Sequence, residues 1–231
     1  MDRRTIHQIT GLAGLAGAIL FFCGDMLLYG HFGSAAEFSA NARLTILGAS
    51  TERLVAGGLI GVVAAAMCIP GYWHVLQNVH AGSRPLGWVM FLAFFLFSVA
   101  GGSFHSLTTE TELIQRHCAD QLPRCAELIR SSRVYAGLLY AFAATPGFLA
   151  AFLLLYLVAA GKTTYPRWMV LANPGLLMLL LSSPIADALP GPMGAAIVGG
   201  DVNVSLAIFF LLSIATTWQR KIPAIPVAST T

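Results

Sequence analysis

The sequence predicts an all-α integral membrane protein, a polytopic bundle of six transmembrane helices. Hydrophobic residues make up 57% of the 231 residues and charged residues only 10%. A soluble domain carries about 25% charged residues, because its surface must face water. The charges are also clustered between long apolar stretches, each near the roughly 20 residues that a helix needs to cross a bilayer. These two observations exclude a soluble globular domain.

Six apolar stretches are long enough to span a membrane. They comprise residues 9–31, 52–76, 86–107, 134–159, 168–189 and 195–218. The stretches are continuous and lack the alternation of a membrane β-barrel strand. We therefore expect one integral membrane domain over residues 1–231. A Pro-Gly-Pro turn at residues 190–192 would join the last two helices, and a short amphipathic cap would lie between the third and fourth.

The charge and cysteine distribution predicts an orientation. Six spans place both termini on one side, and basic pairs at residues 3–4 and 220–221 lie next to the outermost spans. The positive-inside tendency then favours cytoplasmic termini in a multi-pass protein of the cell membrane, of the bacterial inner-membrane type. Cys118 and Cys125 would lie in the third loop, where an oxidising compartment allows a disulfide. Two free thiols in a cytoplasmic loop are the alternative.

Ionisable residues inside the predicted spans are the candidate functional residues. Insertion scales assign about 2.5–3.5 kcal/mol to a charge at mid-span, so such a residue faces a partner or a wet cavity. Asp25 lies in the first span, with Tyr29 one turn further on the same helical face. It is a proton donor, proton acceptor or ligand anchor, or else a structural carboxylate bonded within the bundle.

Two further residues have the same double interpretation. Asp201 lies near the start of the sixth span with Asn203 close by, and the alternative is a carboxylate that caps a helix starting there. His105 ends the third span, where an imidazole that titrates near neutral pH suits acid/base work. An ordinary hydrogen-bonded histidine at the membrane surface is the alternative for His105.

The candidate residues indicate a functional site more strongly when they are considered together. With six spans, these residues share one side of the membrane with Glu52, Glu110, Tyr140 and Asp187, each of which alone is an ordinary interfacial residue. The opposite half carries far fewer polar residues. An acid-rich cavity open to the non-cytoplasmic side would explain the asymmetry. Carboxylates that share such a pocket repel each other, which favours a protonated form that can act as a general acid.

The motifs of cofactor-dependent and metal-dependent enzymes are missing. The sequence contains no phosphate-binding loop, no dinucleotide fingerprint, no Gly-x-Ser-x-Gly elbow, no metal-ligating histidine pair and no lysine inside a span. We therefore expect no metal and no cofactor. The net charge of +3 gives no reason to expect nucleic acid. The expected partners are membrane lipids and a hydrophobic small-molecule substrate, with a homo-oligomer left open.

Short motifs along the chain carry a resemblance to a known family. They are GDMLLYG at residues 24–30, GYWH at 71–74, GSFH at 102–105, YPRW at 165–168 and Asn-Pro at 173–174. These motifs resemble an uncharacterised family of bacterial membrane proteins, filed as a domain of unknown function, and the resemblance supplies no activity. In layout the chain is also similar in type to membrane-embedded terpene cyclases and sterol isomerases, helical bundles whose acidic residues protonate an isoprenoid.

Three functions stay open on this evidence. The first is an isomerase, cyclase or lyase that acts on a lipid or isoprenoid by cofactor-free acid/base catalysis. Asp25 and Asp201 would be proton donor and charge stabiliser, and His105 or Glu52 would relay the proton. The substrate-binding residues would be Tyr29, Phe104, Glu110, Tyr140, Asp187 and Asn203. The second function is a proton-coupled small-molecule transporter. The third is a non-catalytic membrane subunit or ligand sensor whose carboxylates hold helices together.

Overall fold

The structure, a computed structural model, describes residues 2–30, 33–118 and 122–219, and within these ranges it is helical without a β-strand. The helices are α1 (Arg3–Leu28), α2 (Ala35–Gly48), α3 (Thr51–Gln77), α4 (Arg84–His117), α5 (Leu122–Ala159), α6 (Pro174–Leu180), α7 (Ala186–Ala188) and α8 (Gly191–Thr217). The predicted end of the first span at residue 31 and the basic pair at residues 220–221 lie outside the described residues.

Five of these helices, α1, α3, α4, α5 and α8, are long and apolar enough to cross a membrane. The fifth predicted span, residues 168–189, is instead broken into a 3₁₀ turn at Arg167–Val170, helix α6, a π-helical turn at Leu181–Ile185 and helix α7. Pro174 starts α6, because proline suits the first helical position but not the interior of a helix. Among the described residues, helix length and composition therefore support five spans, and the predicted count of six is not confirmed.

The amphipathic cap predicted between the third and fourth spans is not a separate element. Helix α4 continues past the predicted boundary at residue 107 to His117, and α5 starts at Leu122 rather than at 134. The polar residues of this region extend the two helices, because no glycine or proline stops α4 before its end. Of the two alternatives for the cysteines, the structure contains the disulfide between Cys118 and Cys125, with a Cα–Cα distance of 5.8 Å.

Helix α2 was not predicted, since its composition is only weakly apolar. It begins with a capping box: Glu37 N donates to Ser34 Oγ at 3.1 Å, and Ser34 N donates to Glu37 Oε2 at 3.0 Å. A Ser-x-x-Glu pattern is the sequence signature of this arrangement and could have predicted the helix start. The helix packs against α8, α4 and α7 and covers one end of the bundle.

Glycines bring α1 and α3 into close contact. A Cβ added at Gly14 would lie 2.6 Å from Gly71 Cα, and one at Gly17 would lie 2.8 Å from Cys68 N. Small residues allow such backbone contact between helices in lipid, where association depends on van der Waals packing. These glycines therefore allow α1 and α3 to pack backbone against backbone.

The bundle has two distinct ends, which we name the Asp25 end and the His74 end. At the His74 end, His80 N donates to Lys162 O at 2.9 Å, so the turn after α3 meets the end of α5. At the Asp25 end, a Cβ at Gly191 would lie 2.7 Å from Gly33 O, so α8 starts beside the segment that follows α1. The broken segment between α5 and α8 therefore runs from one end of the bundle to the other.

A buried polar network closes the His74 end. The rings of His7 and His74 stack with centroids 3.9 Å apart. His74 Nδ1 donates to His7 O at 2.9 Å, and because a carbonyl only accepts, His74 Nε2 must accept from Ser213 Oγ at 3.0 Å. Ser213 in turn accepts from the Tyr165 hydroxyl at 2.7 Å, which accepts from Asn78 Nδ2 at 3.2 Å. The network thus joins α1, α3, α8 and the segment after α5.

Replacing His74 by leucine should destabilise the fold. The variant would remove two buried hydrogen bonds, each worth about 0.5–1.5 kcal/mol, while Ser213 keeps its bond with Tyr165 and the His7 carbonyl keeps its bond with Thr10. We expect a clear fall in the unfolding midpoint of the detergent-solubilised protein. His80→Leu is the matched control, because that side chain is exposed at the same end. Equal midpoints for the two variants would contradict the role of the network.

Candidate functional site

A cavity of about 260 Å³ lies among α1, α4, α5, α6 and α8 at the Asp25 end. Most of its wall is apolar, and aromatic rings dominate it: Phe21, Tyr29, Phe94, Phe97, Phe104, Tyr140 and Phe148. A small group of polar side chains lies at one end, which is the usual composition of a ligand site. None of the described residues that line it is a lysine or an arginine.

The buried carboxylate of Asp25 is the centre of the polar group. Asn203 Nδ2 donates to its Oδ2 at 2.6 Å, and His105 Nε2 lies 3.4 Å from its Oδ1. All three side chains are buried, and they come from α1, α8 and α4. An acid, an imidazole and an amide from three helices therefore meet at one point, although Asp25 and Asn203 lie 178 residues apart in sequence.

Glycines on neighbouring helices make room for the imidazole of His105. A Cβ at Gly61 of α3 would lie 2.7 Å from His105 Nδ1, and one at Gly24 of α1 would lie 3.5 Å from the same atom. The ring of Phe21 covers another side, with centroids 5.1 Å apart. The imidazole is thus held between α1 and α3 with Nε2 directed at Asp25, which leaves it little freedom to turn.

Asp201 follows a kink in α8. Gly200 has φ −137° and ψ 24°, which interrupts the helix. Asp201 Oδ1 accepts from Val202 N at 2.7 Å, and Ser205 Oγ donates to the Asp201 carbonyl at 2.6 Å. The carboxylate therefore accepts from the N–H of the next residue and not from the second or third N–H that an N-cap residue bonds, and α8 itself starts at Gly191. The carboxylate also lines the cavity.

Arg53 fixes the end of α1 that carries Asp25. Its Nε donates to Leu27 O at 2.6 Å and its Nη2 donates to Met26 O at 2.9 Å. These carbonyls belong to the last turn of α1, where a helix leaves acceptors unpaired and carries partial negative charge. The guanidinium is thus engaged by the backbone rather than by the Asp25 carboxylate.

The structure separates the predicted site residues into two groups. Those that line the cavity are Asp25, Tyr29, Phe104, His105, Tyr140, Asp201 and Asn203. Glu52 is exposed at the start of α3, Glu110 is exposed on α4, and Asp187 is exposed in α7. These three residues have the expected depth in the bundle but lie outside the cavity. Glu52 is therefore not in a position to relay a proton to Asp25.

Most of the aromatic residues in the cavity wall were not predicted from the sequence. Phe94, Phe97 and Gly101 precede His105 at spacings of three and four residues, so they share its helical face. That stripe could have indicated the wall on α4. No comparable sequence pattern predicts that Phe148 on α5 or Met178 on α6 lines the cavity, because their position there depends on how those helices pack.

These features define the class of protein: an α-helical bundle with helices able to span a membrane and an internal acid-lined cavity. The chain belongs to a family of unknown function, DUF6796, whose model matches residues 1–220. This match confirms the predicted resemblance to a domain of unknown function. No curated protein and no solved structure matches the chain. Bacterial origin and the likeness to terpene cyclases and sterol isomerases stay predictions.

Proposed function

We propose that this protein is an integral membrane enzyme that acts on a lipid or isoprenoid by cofactor-free acid/base catalysis. The observation that carries the proposal is the contact of Asp25 with His105 at 3.4 Å inside a cavity with aromatic walls. Proton transfer needs about 2.6–3.2 Å, and catalytic contacts that are slightly longer without substrate commonly tighten to this range in the substrate complex. General acid/base catalysis by such a pair contributes about 10²–10⁴-fold to a rate.

An isomerisation of a double bond fits this pair without any co-reactant. Protonated Asp25 adds a proton to one carbon of the double bond, and His105 removes a proton from the carbon next to the resulting cation. The proton then returns from His105 to Asp25 across their contact, so the enzyme ends as it began. Asn203 orients the carboxyl group through its 2.6 Å hydrogen bond.

The cationic intermediate of that reaction would meet a favourable environment. Asp201 supplies a second carboxylate at the polar end of the cavity. The faces of the aromatic side chains carry partial negative charge and attract a cation. Phe104 and Tyr140 form one such pair, with ring centroids 5.5 Å apart. Electrostatic groups already in place before the charge develops are an effective means of lowering a barrier.

A lateral opening supports a substrate that comes from the bilayer. Tyr140 and Phe148 line the cavity, yet they are 59% and 54% exposed on the outside of α5. Helix α5 packs along α4 and approaches α6 near Ala151, where a Cβ at Gly175 would lie 3.1 Å from the Ala151 side chain. The cavity therefore reaches the outer apolar surface beside α5, where a lipid chain can enter.

We further propose six crossings of the cell membrane with cytoplasmic termini. The broken segment between α5 and α8 would be the sixth crossing, because it connects Lys162 at the His74 end to Gly191 at the Asp25 end. The disulfide between Cys118 and Cys125 lies at the Asp25 end. Disulfides persist in oxidising compartments, so the cavity would lie toward the non-cytoplasmic side.

A proton-coupled transporter is the second candidate. The broken helix favours it, because discontinuous helices form the substrate sites of many transporters. Pro174 and Met178 of that segment line the cavity. Substrate uptake into proteoliposomes that depends on a pH gradient, without a change in the substrate, would support this candidate over the enzyme.

Blocking the cavity should abolish the proposed activity. Gly101 lines the cavity, and a Cβ at this position would meet no atom within 4 Å. Gly101→Phe should therefore fill the cavity without disturbing the helices. We expect expression of the wild-type chain to generate a new or altered component in cellular lipid extracts, measured by mass spectrometry, and Gly101→Phe to remove it.

Gly137→Phe is the matched control for this experiment. Gly137 is exposed on α5 outside the cavity, and a Cβ there also meets no atom within 4 Å. This variant should retain the lipid change in full. Lipid extracts that do not differ between expressing cells and empty-vector cells, or a Gly101→Phe variant as active as wild type, would contradict the enzyme proposal.

A further inference from the structure

We infer that the cavity binds a single-chain amphiphilic amine, with its ammonium group at the Asp25 and Asp201 carboxylates and its chain between the aromatic rings. The inference rests on the proposed function, because the amine would occupy the place of the cationic intermediate. Binding of an amine does not itself require turnover, so the two can be tested separately.

The charge of the lining points to a cation. Asp25 and Asp201 both belong to the cavity, and none of its described residues is a lysine or an arginine. Arg53 lies near the same end, but its guanidinium donates to the Met26 and Leu27 carbonyls. Asp25 is buried and Asp201 is half-buried, and a carboxylate held away from water needs a partner of opposite charge to offset the loss of solvation. An ammonium group supplies that partner, and each carboxylate retains lone pairs that can accept from it.

The aromatic wall suits the alkyl groups bonded to the ammonium nitrogen of such a ligand. Phe21 lies beside His105, with ring centroids 5.1 Å apart, and Phe104 pairs with Tyr140 at 5.5 Å. Ring faces attract ammonium and alkylated ammonium groups, and recognition of such cations by several rings is a common arrangement. A phosphate or carboxylate headgroup would instead meet two carboxylates, with no lysine or arginine among the described lining residues to offset the repulsion. The cavity therefore discriminates by charge sign.

The size and the opening limit the ligand to one chain. A volume of about 260 Å³ lies below the roughly 300–1,000 Å³ of pockets for drug-sized ligands, so the body of a two-chain lipid does not fit. Tyr140 and Phe148 at the lateral opening leave a path by which one alkyl chain can continue into the bilayer. A long-chain tertiary amine satisfies both conditions.

A binding experiment on the full chain in lipid nanodiscs tests the inference. The probes are radiolabelled N,N-dimethyldodecylamine and its uncharged analogue N,N-dimethyldodecanamide, each below its aggregation concentration. We expect saturable binding of the amine, at least tenfold weaker binding of the amide, and an amine affinity reduced at least tenfold in Asp25→Asn. Asp187→Asn removes an exposed carboxylate at the same end and should bind the amine as wild type does.

The outcomes separate this inference from the enzyme proposal. Equal binding of amine and amide, or an equal loss in Asp187→Asn and Asp25→Asn, would overturn the inference, because it would indicate partition into lipid or surface attraction. If Asp25→Asn does not fold, Gly101→Phe replaces it, and undiminished saturable binding by that variant would also overturn the inference. Saturable, Asp25-dependent binding in a protein that changes no lipid would support it and contradict the enzyme proposal alone.

Discussion

Replacing Asp25 by asparagine is expected to lower product formation by about 10²–10⁴-fold, the usual contribution of a positioned acid or base. Asparagine has nearly the same shape as aspartate, and its amide oxygen can still accept the hydrogen bond that Asn203 Nδ2 gives to Oδ2 at 2.6 Å. It cannot deliver a proton. The variant should therefore fold and fill the cavity end as the wild-type residue does, yet lack the donor.

The measurement is the amount of product per unit of folded protein, taken from lipid extracts and from the size-exclusion profile of the same preparation. Asp187→Asn is the matched control, because it makes the same chemical change at an exposed position. Asp201→Asn should also lose product, since it removes the second carboxylate of the cavity. Full activity in both Asp25→Asn and Asp201→Asn would rule out the proposed chemistry.

The sequence predicted how deep in the bundle each site residue lies better than it predicted whether the side chain faces the cavity or the outside. Position along an apolar stretch places a residue at a depth in the bundle, and Asp25 and His105 follow from that argument. Glu110 has a comparable depth but is exposed, because it lies on another face of α4. The face that turns inward depends on which helices pack against it. One sequence supplies no direct information about those neighbours.

Hydropathy also predicted where the apolar stretches lie better than it predicted where each helix begins and ends. The fifth predicted span has the composition of a crossing but not its continuity. Asn173 Oδ1 accepts from Gly175 N at 3.0 Å, and Asn173 Nδ2 donates to Ala151 O at 2.8 Å, so a new helix starts at Pro174. The Asn-Pro pair is a recognisable helix start and could have predicted this break. The π-helical turn at Leu181–Ile185 has no such sequence pattern.

The close contact of α1 and α3 leads to the prediction with the largest effect on folding. Replacing Gly71 by leucine is expected to prevent the bundle from assembling correctly. A Cβ at Gly71 would lie 2.8 Å from Phe210 Cζ and would press on the Gly14 backbone. Overpacking of a core costs about 1–3 kcal/mol, and occasionally more. Here part of the obstruction is backbone, which cannot rotate away, so the cost should reach or exceed the upper value.

A loss of this size is a large part of the total stability of a protein, which is about 5–15 kcal/mol. Gly71→Leu should therefore give little monodisperse protein after detergent extraction, and what remains should unfold at a lower temperature. Gly137→Leu is the control, because it places the same side chain on a helix at a position with no atom within 4 Å. If both variants unfold at the wild-type temperature, α1 and α3 do not meet at Gly14 and Gly71. The cavity, which needs α1 in this position to bring Asp25 to His105, would then require a different arrangement of helices.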